Sequence, residues 1–148
     1  MSAGQSGWSA LSRAATRYSP YMFLEDRIMN TSAALDSFDM VRRATGKHVA
    51  YAKRVKQCID LAGEPFVDLI HADPDTWAEE AKEVRDDLAH HRERFRLHGS
   101  VGEHLHSEQL FWLFTFCLLR LAAAPPAVFE AIAQHGQVRW LTDQARTR

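Results

Sequence analysis

DPDTWAEEAKEVRDDLAHHRERFRLHG, residues 73–99, contains a helix start, a helix stop and an apolar stripe running between them. Asp73-Pro74-Asp75 opens a helix, and the pattern carries it to His98, with Gly99 as the stop. Turning each residue by roughly 100° puts Trp77, Ala81, Val84, Leu88 and Phe95 in one narrow stripe, which must face a core. Arg85, Ala89, Asp86 and His90 follow in that angular order across a sector of roughly 140°, centred far from the stripe. A guanidinium, a carboxylate and an imidazole therefore share a face turned away from their own core, with only the small Ala89 between them. Together they can reach a common phosphate. Asp86, four residues before His90, is close enough to orient the imidazole.

Downstream, Ser107 reads as the cap of a fourth helix from about Glu108 to Ala124. This run, EQLFWLFTFCLLRLAAA, is apolar nearly all round, which predicts burial on more than one side, in a dimer interface as well as a core. Pro125-Pro126 ends it, and one or two short helices finish the chain. Upstream, Ser19-Pro20 is a helix start. Leu24, Ile28, Leu35 and Phe38 at helical spacing continue a first helix to Gly46. A second helix covers about His48 to Ala62, with Val49, Val55, Ile59 and Leu61, and stops at Gly63. GEPFVDLIHADPD reads as a connection containing at most a short helical turn. Residues 1–18 are rich in Ser, Ala and Gly without sustained periodicity and read as a flexible tail or linker, leaving 19–148 as the folded domain. No alternating strand pattern and no repeat occurs. The expectation is an all-α, up-and-down bundle of four to five main helices.

A chain of 148 residues with 46% hydrophobic and 25% charged residues suits one domain with a real core. Its formal net charge of −1 provides no overall basic field, so contact with nucleic acid must rest on a local patch. Cys58 and Cys117 stand in apolar helical contexts and read as free buried thiols of a reducing compartment. The apolar stretch Leu110–Ala124 is shorter than the roughly 20 residues of a bilayer span and contains Arg120. No signal peptide is visible, and a cytoplasmic location is expected.

RDDLAH, Arg85 to His90, resembles the signature of the HEPN family (higher eukaryotes and prokaryotes nucleotide-binding domains): Arg, then a polar residue, a short spacer and His. The order of helices over about residues 20–124 is similar to the same family, most of all to its ApeA-type branch, found in bacterial defence proteins. The resemblance implies a HEPN-like bundle and metal-independent RNA cleavage by attack of a ribose 2′-hydroxyl on the adjacent phosphate. It also implies a homodimer whose two motifs line one cleft. In that chemistry His90 is the general acid or base, Arg85 stabilises charge developing on the phosphate, and Asp86 holds His90. Asp86 departs from the family's more common Asn and puts a negative charge beside a negative substrate.

The residues leave alternatives open. Arg43–His48 has the same spacing as Arg85–His90, but it straddles Gly46 and need not share a face. Arg92 and Arg96, one turn apart, are candidate RNA-phosphate contacts, or partners of upstream acids. His91, His98, His104 and His106 show no metal-ligand spacing, and neither a metal nor a cofactor is expected. The motif face could be an ordinary solvated one. The chain would then be a non-catalytic dimerisation or partner-binding module, and a third reading is the toxin half of a toxin–antitoxin pair. RNA, a second copy, an antitoxin and a larger defence protein are the partners these readings imply.

Overall fold

Every regular element in the computed structural model is a helix. The structure describes residues 10–15, 22–44, 48–91 and 99–148, and no strand occurs among them. The helices are α1 (residues 10–15), α2 (Leu24–Arg43), α3 (Tyr51–Ala62), α4 (Glu64–Ile70), α5 (Pro74–Ala89), α6 (Gly99–Leu121), α7 (Pro126–Gln134) and α8 (Gly136–Arg146). The all-α expectation is met, with α2, α3, α5 and α6 as the long members. No helix among the described residues is long and apolar enough to cross a membrane.

The best-formed start is that of α5. The Asp73 carboxylate accepts the Thr76 N–H and the Thr76 hydroxyl, both at 2.9 Å, and Pro74 occupies the first turn. These hydrogen bonds hold the Asp73 carboxyl below the ordinary aspartate range. From that start Trp77, Ala81 and Val84 enter the core, as the stripe requires, and Leu88 packs partly against it. Phe95 lies outside the described residues.

The far end departs from expectation. The helix stops at Ala89, nine residues before His98: His90 is its C-cap and His91 turns left-handed at φ +49°. The cause is packing. Apart from the small, exposed Ala89, no apolar residue follows Leu88 in the sequence until Phe95, so the apolar stripe is interrupted there, and buried contact is what sustains most helices in proteins. The other boundaries move for related reasons. α6 begins at Gly99 instead of Glu108, so Ser107 is a buried helix-interior residue and not a cap. α2 begins at Leu24 and ends at Arg43, where Ala44 adopts the left-handed conformation. Ser19-Pro20 and Gly46 lie outside the described residues. The connection after Gly63 is a helix in its own right, because Phe66, Leu69 and Ile70 all find burial. Within the stretch expected to be a tail, residues 10–15 are helical and bury Ala10 and Ala14 among the core residues.

Helix α6 is the central element. α2, α3, α4 and α8 surround it, burying one side of its apolar run, while Phe111, Trp112, Leu118 and Leu119 are only partly buried and Leu121 is exposed. Leu110, Leu113, Phe114, Phe116 and Cys117 are buried, each large side chain stabilising the fold by about 2 kcal/mol. Phe114 meets Phe38 of α2 edge-on at 5.9 Å, and Trp77 meets Phe66 of α4 edge-on at 5.2 Å. The indole N–H of Trp77 donates to Gln109 Oε1 at 3.2 Å, tying α5 to α6 through a buried hydrogen bond.

A charged cluster fixes α2 against α3. Asp39 is fully buried, 3.0 Å from Arg42 and 3.5 Å from Arg54, and Arg54 also pairs with Asp36 at 3.0 Å. Such a cluster adds little net stability, but removing one partner strands the others, at about 3–5 kcal/mol. It sets the α2–α3 pair that carries the floor of the candidate site.

Candidate functional site

Arg85 lies in the last full turns of α5, half-buried, with its guanidinium carbon 4.5 Å from the ring centroid of Tyr51. Tyr51 is the first residue of α3 and only 5% exposed. Among the described residues no carboxylate pairs with Arg85, and its N–H groups make no hydrogen bond. Its guanidinium is therefore held near an aromatic face and makes no ion pair with a described residue.

His90 is exposed and caps the same helix. Its backbone N–H still donates to Asp86 O at 3.1 Å, so it keeps helical register with the motif although its φ and ψ, −105° and 12°, leave the helix. Five residues of helix separate Arg85 from His90, an axial rise of about 7.5 Å. A long arginine and an imidazole can converge on one phosphate across that span. The Asp86 carboxylate lies 3.7 Å from Lys82 Nζ, an exposed i, i+4 ion pair of small energetic weight. No hydrogen bond joins it to the His90 ring among the described residues. The structure thus brings Arg85, Asp86 and His90 to one end of α5 and gives the Asp86 side chain to Lys82. Arg92 and Arg96 lie outside the described residues.

Two participants at this end were not anticipated. Lys82 was legible, since it precedes Asp86 by four residues. Tyr51 was not: it is distant in sequence, and its contact with Arg85 exists only once α3 packs on α5.

The remaining histidines and cysteines do not extend the site. Among the described residues no three His, Cys, Asp or Glu side chains are grouped so as to hold a metal ion. His106 is buried against Trp77, ring centroids 5.4 Å apart, with Nε2 unpartnered among the described residues. Burial, and next the charge of Arg148, push its pKa down to about 4, so it is neutral at physiological pH. Cys58 and Cys117 are buried and unbridged, the Cys117 thiol donating to the Cys58 carbonyl at 3.3 Å. A separate cleft of about 380 Å³ between α4, α6, α7 and α8 is lined by Leu69, Phe116, Phe129 and Arg139 among others, and by no residue of α5.

No family model matches the chain, and neither a curated protein nor a solved structure is significantly similar to it.

Proposed function

We propose that the chain is a metal-independent endoribonuclease of the HEPN type, acting in toxin activity or antiviral defence, with Arg85 and His90 as its catalytic groups. The observation that carries this reading is the state of Arg85: seated on Tyr51, lacking a carboxylate partner among the described residues, and on the same helix end as exposed His90.

In the proposed reaction His90 accepts the proton of a ribose 2′-hydroxyl. The freed oxygen bonds to the adjacent phosphorus as the bond to the 5′ oxygen breaks. The leaving oxygen takes a proton from an imidazolium, in a dimer that of the second copy's His90. The products are a 2′,3′-cyclic phosphate and a 5′-hydroxyl. Arg85 meets the charge that develops on the non-bridging oxygens. Asp86, paired with Lys82, bounds the site.

The Lys82–Asp86 pair also favours the second reading, a non-catalytic dimerisation or partner-binding module of the same fold, because it leaves the His90 ring without its expected orienting carboxylate. One experiment separates the two: mixed RNA incubated with the purified chain in excess chelator, beside His90→Ala and Arg85→Ala, with product ends identified. Cyclic phosphate ends from wild type alone support the enzyme. Equal cleavage by His90→Ala, or none by folded wild type, overturns it.

A further inference from the structure

We propose that Tyr51 is the positioning residue of this site: its ring fixes the Arg85 guanidinium in the orientation that phosphate contact requires. The inference rests on the ribonuclease reading given above.

An arginine side chain has several freely rotating bonds, and in solvent it samples many orientations. Here its guanidinium carbon stands 4.5 Å from the Tyr51 centroid, well inside the range of about 6 Å over which a cation and a ring attract. Stacking on a ring occupies one flat face of the guanidinium and leaves its N–H edge open, which is the edge that binds phosphate oxygens in pairs. The floor itself cannot move far. Tyr51 begins α3, is buried, and stands three residues before Arg54, the side chain that the Asp36–Asp39 cluster ties to α2.

The phenol end shows which part of Tyr51 matters. The hydroxyl is buried and has no hydrogen-bond partner of good geometry among the described residues. Burial raises the phenol well above its ordinary range, with the Ser32 hydroxyl and the Arg85 charge only partly offsetting this. A buried hydroxyl with so little to bond is a liability that phenylalanine would avoid. The useful part of Tyr51 is therefore its ring, and an aromatic replacement should keep its role.

The test uses the full chain as wild type, Tyr51→Phe, Tyr51→Met, Arg85→Ala and the Tyr51→Met/Arg85→Ala double variant. Methionine fills a similar volume without a ring. Side-chain NMR of Arg85 should show upfield ring-current shifts in wild type and Tyr51→Phe, and their loss in Tyr51→Met. Cleavage should stay within about twofold of wild type in Tyr51→Phe and fall about tenfold in Tyr51→Met, chiefly in kcat. In the Arg85→Ala background Tyr51→Met should add less than about twofold, because its effect passes through Arg85. An unshifted Arg85 in wild type overturns the proposal even if Tyr51→Met fails to fold, and so does a full tenfold loss persisting without Arg85. Should folded wild type cleave no RNA, the ribonuclease reading fails on its own. The Arg85 shift then decides Tyr51 separately: lost in Tyr51→Met, it supports the contact; retained, it refutes it.

Discussion

Two arginines stand over aromatic rings at opposite ends of α3, and they behave differently. Arg120 of α6 lies over Phe129 with its guanidinium carbon 4.2 Å from the centroid, and its Nε–H donates to Ala62 O at 3.1 Å. Ala62 closes α3, so Arg120 satisfies one of the carbonyls that a helix leaves open at its C-terminus, where the helix dipole also favours a cation. Arg85 sits at the other pole, over the first residue of α3, where no free carbonyl is offered and the dipole disfavours a cation. The fold thus gives Arg120 both a ring contact and a helix-end carbonyl. For Arg85 the described residues supply the ring contact but no carboxylate partner, and it is the proposed phosphate contact that would use its charge.

Replacing each arginine separately gives the sharpest way to break that contrast. Arg85→Ala should lower RNA cleavage by about 100-fold or more while moving the melting temperature by no more than about 2 °C. Arg120→Ala should do the reverse, leaving cleavage within about twofold and lowering stability by roughly 1–2 kcal/mol in urea titrations, since it strands a carbonyl and a ring contact. Cleavage lost equally in both variants would erase the distinction between a functional and a structural arginine.

The same contrast explains what could be read from residues alone. The start of α5 was legible because its signals are local: Asp73 bonds a residue three positions away, and Trp77, Ala81 and Val84 repeat at helical spacing. The same periodicity put Arg85, Asp86 and His90 on one face in mid-helix; their place at the end of α5 did not follow from it. The limits of α5 were not legible, because this chain stops helices with left-handed residues other than glycine: Ala44, His71, His91 and Ala123. Glycine as the stop signal therefore carries α5 on to His98, past the left-handed His91. The Tyr51 floor and the assignment of Asp86 to Lys82 depend on which neighbour wins, and a one-dimensional pattern cannot decide that.

A buried histidine extends the comparison to pH. His106 is neutral in the folded protein because burial pushes its pKa from 6.5 to about 4. Between those values the unfolded chain binds the proton and the folded chain does not. This contribution is thus complete above pH 6.5 and is lost progressively as pH falls toward 4. The loss attributable to His106 should reach about 3 kcal/mol. Comparing urea stability of wild type and His106→Leu across that interval isolates it: the variant should show a flatter profile, and parallel profiles would remove His106 as the cause.

Around Arg120 the backbone offers a smaller test with a fixed sign on each side. Gly63 joins α3 to α4 at φ +76° and ψ −157°, and a Cβ placed there would stand 3.4 Å from the Arg120 guanidinium. Gly63→Ala should therefore cost about 2 kcal/mol, nearly all of it backbone strain, because the space itself is adequate. Its loss should be almost the same in an Arg120→Ala background. A loss that disappears there would make the side chain, and not the backbone, the source.

Ala123 is the mirror case. It follows α6 at φ +53°, its N–H donates to Arg120 O at 3.1 Å, and the Ala124 N–H reaches Leu119 O at 3.0 Å. That pair of bonds is the Schellman pattern, whose left-handed position favours glycine. Ala123 is exposed, so its methyl group contributes no packing to offset the left-handed strain. Ala123→Gly should raise stability by about 1 kcal/mol and the melting temperature by about 3 °C, net of the greater freedom glycine gives the unfolded chain. Because the change leaves the Arg120–Ala62 bond in place and lies far in sequence from Arg85, cleavage should not move. A lower melting temperature would mean that the entropy of the unfolded chain, not strain in the folded one, dominates at this helix end.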